Sequence, residues 1–252
     1  MNHALRLRLF SVVCAGLLLG ACSQQASAPV PSAAEQKSQA DAAAAARNLD
    51  TYRQLLKLHD DEMVVAMGKD IVSRFPDSAA AKEVQQSLPA IEKRYSETHE
   101  RNRLTALWTY QTSPMAGGTQ STATIFSSEP SGNDRVRLVL RRHTSWGQSV
   151  FLYGNKPGFV CRGNCTIEGK VDGKPVRIKA FAPPSGEPAL MIRDDKAFIA
   201  MLTKARKVDL KVTLADGEMK ETLVYEVAGF EPAKWLPLAK SRKPGHKKRF
   251  TS

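Results

Sequence analysis

The period of the hydrophobic pattern changes from about 3.6 to 2 at Trp108. Before it, apolar residues recur at helical spacing, as with Leu49, Tyr52, Leu55 and Leu56 at i, i+3, i+6 and i+7. After it they alternate. Val136, Leu138 and Leu140 oppose Arg135, Arg137 and Arg141, and Val208, Leu210, Val212 and Leu214 oppose Asp209, Lys211 and Thr213. A chain with helices first and strands afterwards folds as α+β. Its 252 residues are 42% hydrophobic and 25% charged, enough for a packed core, which excludes wholesale disorder.

The helical part reads as a hairpin or as three to four helices between Glu35 and about Arg103. Ala42–Ala46 has high helix propensity. Asp60-Asp61-Glu62 supplies an N-cap and an acidic first turn for a second helix that buries Val64, Val65, Met67, Ile71 and Val72 and ends at Phe75-Pro76. Asp77 or Ser78 caps a third. Pro89 then either kinks that helix or opens a fourth. FPDSAAAKEV resembles one tetratricopeptide-type unit with its terminal Pro. A plain helical hairpin is the preferred reading, because solenoids need several units to be stable.

Ten short strands are expected beyond Trp108: 107–112, 120–127, 135–142, 149–153, 159–161, 166–171, 175–182, 188–192, 208–214 and 221–228. Asp172-Gly173 and Asp216-Gly217 are hairpin signals. One helix interrupts, from Asp194 to about Ala205. Such spacing predicts a mostly antiparallel β-sandwich or small barrel with one helix.

The N-terminus sets the compartment. Arg6 and Arg8 precede an apolar run, Leu9–Leu19, that is too short to span a bilayer as a helix. No other stretch is long and apolar, which excludes a polytopic membrane protein. Leu19-Gly20-Ala21-Cys22 resembles the lipobox of bacterial lipoproteins. That resemblance implies cleavage before Cys22 and acylation of its thiol; Ser23, not being Asp, implies sorting to the outer membrane. The resulting plan is a lipoprotein signal (1–21), a tether and Ala-rich entry (22–46), a helical segment (47–106), a β-rich domain (107–236) and a disordered basic tail (237–252).

Of four cysteines, that resemblance implies that Cys14 leaves with the signal and that Cys22 carries lipid. Cys161 and Cys165 remain as a pair in an oxidising periplasm, which implies a disulfide. Gly163 between them allows the positive φ of a tight loop. Redox exchange and metal binding are the alternatives. Strands rather than a helix N-terminus flank the pair, and no second cysteine pair or close histidine pair completes a zinc set.

The segments WTYQTSPMAGG, LVLRRHTSWGQSVFL and GFVCRGNC, followed by a helix and a hairpin ending in GF, resemble uncharacterised β-rich domains of secreted proteobacterial proteins. They are distantly similar to the invasion-associated-locus-B type, over residues 108–236. Neither group supplies a catalytic residue. The chain itself contains no H-E-x-x-H, G-x-S-x-G or S-x-x-K. His59, His99, His143 and His246 read as solvated surface residues, and no cofactor is implied.

The net charge is +12. Lys240, Arg242, Lys243, Lys247, Lys248 and Arg249 sit in a tail without acids, which reads as a polycation for an anionic surface or as a solubilising tail. Arg135, Arg137, Arg141 and Arg142 form a second basic set, read as the solvent side of a strand or as protection of a sheet edge. Trp108, Tyr110, Trp146 and Phe151 read as core and rim, with a binding platform as the alternative. The expected function is that of a non-enzymatic outer-membrane lipoprotein on the periplasmic face. Its partners would be the membrane through the lipid anchor, together with lipopolysaccharide, phospholipid, peptidoglycan or a protein, and not nucleic acid. The alternative is a periplasmic inhibitor or immunity lipoprotein against a cell-wall hydrolase.

Overall fold

In the computed structural model, which describes residues 32–238, capping side chains set the helix starts. Helix α1 (Ala33–Leu58) opens with a capping box: Glu35 N–H donates to Ser32 Oγ at 3.3 Å, and Ser32 N–H donates to the Glu35 carboxylate at 2.7 Å. The helix expected from Glu35 thus begins two residues earlier, at Ala33, and includes the Ala-rich stretch. Helix α2 (Asp61–Arg74) is capped by Asp60, as its acidic run predicts. Helix α3 (Ala79–Ala106) is capped by Ser78. It runs unbroken through Pro89, so no fourth helix starts there. Leu88 and Ile91 on either side of the proline are buried in the helical core, and this packing offsets the roughly 3 kcal/mol that an interior proline costs.

The three helices enclose their own core of Tyr52, Val64, Ile71, Ala81 and Val84. Among the described residues no helix is long and apolar enough to cross a membrane. Cys22 and the basic residues Lys240, Arg242, Lys243, Lys247, Lys248 and Arg249 lie outside the described residues, as does His246.

Leu107 ends α3 and Trp108 begins the sheet. Its nine strands are β1 (Trp108–Met115), β2 (Gly118–Phe126), β3 (Arg137–His143), β4 (Gly147–Tyr153), β5 (Asn164–Val171), β6 (Lys174–Phe181), β7 (Ala189–Ile192), β8 (Lys207–Thr213) and β9 (Lys220–Glu226). They form one antiparallel sheet ordered β1-β2-β3-β4-β7-β6-β5-β8-β9, which is not closed. The class is α+β with an antiparallel sheet, and a single rolled sheet serves in place of two stacked ones. The roll brings β9 back to the residues after β2, where Ser128 N–H donates to the Val224 carbonyl at 2.8 Å. Inward side chains from all nine strands share one core with helix α4 (Asp195–Leu202), which buries Phe198 and Leu202.

The expected strand at 159–161 is only an isolated bridge, Phe159 to Leu214, because the chain turns at once into the Cys161–Cys165 loop. Asp172 and Gly173, at φ 48° and 80°, make the predicted two-residue hairpin turn.

Helices and sheet meet at Gly229. A Cβ there would stand 2.2 Å from the Leu104 backbone at the end of α3. Beside it, Arg103 donates to the Glu226 carboxylate at 2.7 and 3.1 Å. Gly229→Ala is therefore expected to push α3 off the sheet, at a cost of about 1–3 kcal/mol. A urea midpoint unchanged from the parent would contradict this close approach.

Candidate functional site

Alternation along β3 points Leu138 and Leu140 into the core and Arg137, Val139 and Arg141 outward. Register supplies their neighbours. Arg137 is opposite Phe126 on β2 and Tyr153 on β4, Val139 is opposite Phe151, and Arg141 is opposite Ser149. The outcome is a stripe of stacked guanidinium and aromatic groups. Arg135 lies 4.6 Å from the centre of the Phe126 ring, and Arg137 lies 4.8 Å from that of Tyr153. Arg141 sits between Phe151 at 5.0 Å and Trp146 at 5.3 Å. From Arg137 to Arg141 the stripe spans about 14 Å. At one end, Phe126, Asn133, Arg135, Arg137, Tyr153 and Asn155 line a cleft of about 330 Å³.

Arg135, Arg137 and Arg141 make none of the ion pairs found among the described residues. Arg141 donates to Ser149 Oγ at 3.2 Å, which leaves most of its donors unused. Its surroundings strip water from it and lower its pKa from the ordinary guanidinium value, an effect that Glu187 only partly counters. It stays charged, and an incoming anion would relieve that loss of hydration. Phe126 and Trp146 remain about half exposed and leave apolar surface between the charges.

No family model, curated protein or solved structure matches the chain.

The residues singled out in the sequence separate in space. β3 lies between β2 and β4, so its arginines do not protect a sheet edge. Arg142 points the other way from Arg141: its guanidinium covers the Trp235 ring at 3.6 Å and donates to the Trp235 carbonyl at 2.6 Å. Trp108 is core, its ring tilted against that of Phe230, and the Tyr110 hydroxyl accepts the Glu231 N–H at 2.7 Å. Only Trp146 and Phe151 of the four aromatics belong to the stripe.

His143 is buried, not solvated. Its ring stacks on Trp146 at 3.8 Å, and its Nδ1 accepts the N–H groups of Ser145 and Trp146, which tucks it under the β3–β4 turn. His59 ends α1, and His99 lies on the exposed face of α3. Phe126 and Tyr153 were not singled out from the sequence; only the strand register could have found them.

Cys161 and Cys165 form the disulfide, with Cys165 on β5 and both sulfurs packed at the core margin. Among the described residues no group of three or more His, Cys, Asp or Glu side chains could hold a metal ion. Replacing both cysteines with serine is expected to cost about 2 kcal/mol, the chain-entropy value for so short a loop. Equal urea midpoints for oxidised parent and double variant would refute a structural role.

Proposed function

We propose that this chain is a non-enzymatic outer-membrane lipoprotein facing the periplasm, and that its arginine–aromatic stripe binds an anionic envelope component. The observation that carries the reading is the set of outward arginines, each placed over an aromatic ring and in none of the ion pairs found among the described residues. Planar guanidinium forks match phosphate and carboxylate geometry, and stacking fixes them before a ligand arrives. Exposed ring faces beside them suit the apolar face of a sugar. A phosphorylated sugar, as in lipopolysaccharide, combines both chemistries. The helical segment acts as a spacer between the lipidated end and the sheet. The basic residues from Lys240 to Arg249 add unspecific attraction, strongly reduced by salt.

Two experiments test this reading. Cys22→Ala is expected to move the protein from the membrane to the soluble periplasmic fraction; continued membrane fractionation would contradict the anchor. Co-sedimentation of the mature chain with lipopolysaccharide, with peptidoglycan sacculi and with phosphatidylglycerol vesicles identifies the component. Stronger binding to lipopolysaccharide than to vesicles of equal charge is expected, and binding to none of the three would contradict the proposal.

A further inference from the structure

Strand β6 is longer than the neighbour on one of its sides. β5 pairs with it along its whole length, from Lys174 to Phe181. β7 pairs with it only at Ala180 and Phe181, with one further bond from Arg193 N–H to the Lys179 carbonyl at 2.9 Å. From Lys174 to Ile178 that side of β6 has no strand partner among the described residues.

The two-residue turn at Asp172-Gly173 makes Val171 and Lys174 a hydrogen-bonded pair. By alternation, Val176, Ile178 and Ala180 direct their backbone groups at β5, while Arg177 and Lys179 direct theirs away. The Arg193-to-Lys179 bond confirms that direction. The N–H and carbonyl of Arg177 therefore face a groove of about 630 Å³ between β6 and α4. Val176, Ile178, Ala197 and Met201 give it apolar walls. Arg177, Lys179 and Arg193 give it positive charge, and Arg177 and Lys179 are in none of the ion pairs found among the described residues. The one acid lining it, Asp194, is engaged in capping α4 through the Ala197 N–H at 2.9 Å.

We propose that this edge takes an extended acidic segment of a partner protein as an added strand. The Arg177 backbone would exchange two hydrogen bonds with it, alternate apolar side chains would enter the groove, and carboxylates would meet Arg177, Lys179 and Arg193. Charge chooses the occupant: the chain's own basic C-terminal segment would be repelled, and so would a second copy of this edge. The surface is separate from the arginine–aromatic stripe, so the two proposals fail independently.

The test titrates the full chain in mild detergent with a short blocked peptide alternating glutamate and valine, following backbone amide signals and amide exchange. Saturable binding is expected, with exchange at Arg177 slowed about tenfold or more. Ala197→Trp, which fills the groove, and a peptide with lysine in place of glutamate are each expected to weaken binding by about tenfold or more. Arg177→Pro removes the outward N–H and should abolish binding. Should that variant not fold, Ala197→Trp still decides. No saturable binding, an unaffected Arg177 amide, equal affinity for the lysine peptide, or indifference to Ala197→Trp would each overturn the proposal. Self-association abolished by Ala197→Trp would also overturn it, by making a second copy the occupant.

Discussion

Trp235→Ala is expected to lower stability by about 3–5 kcal/mol, the range for emptying a buried aromatic site. Trp235 is 1% exposed and packs where Ser121 of β2 pairs with Arg142 of β3. Its indole N–H donates to the Ser121 carbonyl at 3.1 Å, where Ser121 is itself buried. Truncation removes one of the hydrogen bonds to that carbonyl, opens a void beside Phe230, and takes the ring from beneath Arg142. Partial burial already lowers the Arg142 pKa from its ordinary value. Trp235→Phe retains most of the packing and is expected to lose about 1–2 kcal/mol through the missing hydrogen bond. Urea denaturation of the two variants checks the order. A loss under about 1 kcal/mol for Trp235→Ala would mean that this part of the sheet is held by something else.

The second large effect is on binding. Replacing Arg137 and Arg141 together with serine is expected to weaken lipopolysaccharide binding about 100-fold, since two charge-assisted hydrogen bonds contribute roughly 1.5 kcal/mol each or more. The fold should persist, because both side chains point outward while Leu138 and Leu140 keep the core contacts of β3. Lysine at both positions retains charge but loses the planar fork and the stacking, so it should restore only part of the affinity. Deleting residues 239–252 should lower affinity and its salt dependence together, while leaving the preference for lipopolysaccharide over vesicles intact. Full affinity in the double serine variant would remove the stripe from the account.

Much of the architecture was legible because it is written locally. The acids at Asp60–Glu62 begin α2, Asp172-Gly173 turns β5 into β6, and the change of period at Trp108 coincides with the junction of α3 and β1. What was hidden depends on tertiary packing. Pro89 is tolerated because α3 is clamped at Leu88 and Ile91, which no local signal announces. The 159–161 segment has strand-like residues, but the disulfide loop that follows leaves it a single bridge. His143 is polar and yet buried because a turn two residues on folds over it. The arginines of β3 were visible as a charged face. Their role was not, because it depends on Phe126 and Tyr153, which reach them through pairing with β2 and β4.

The stripe is tested most directly by titrating the isotope-labelled chain in detergent with lipopolysaccharide and following the arginine Nε–H and tryptophan indole signals. Saturable movement of Arg137, Arg141 and Trp146 is expected, while the signals of buried Trp108 and Trp235 stay in place. Binding that leaves those three signals unmoved and shifts only the basic residues after Leu238 would contradict it.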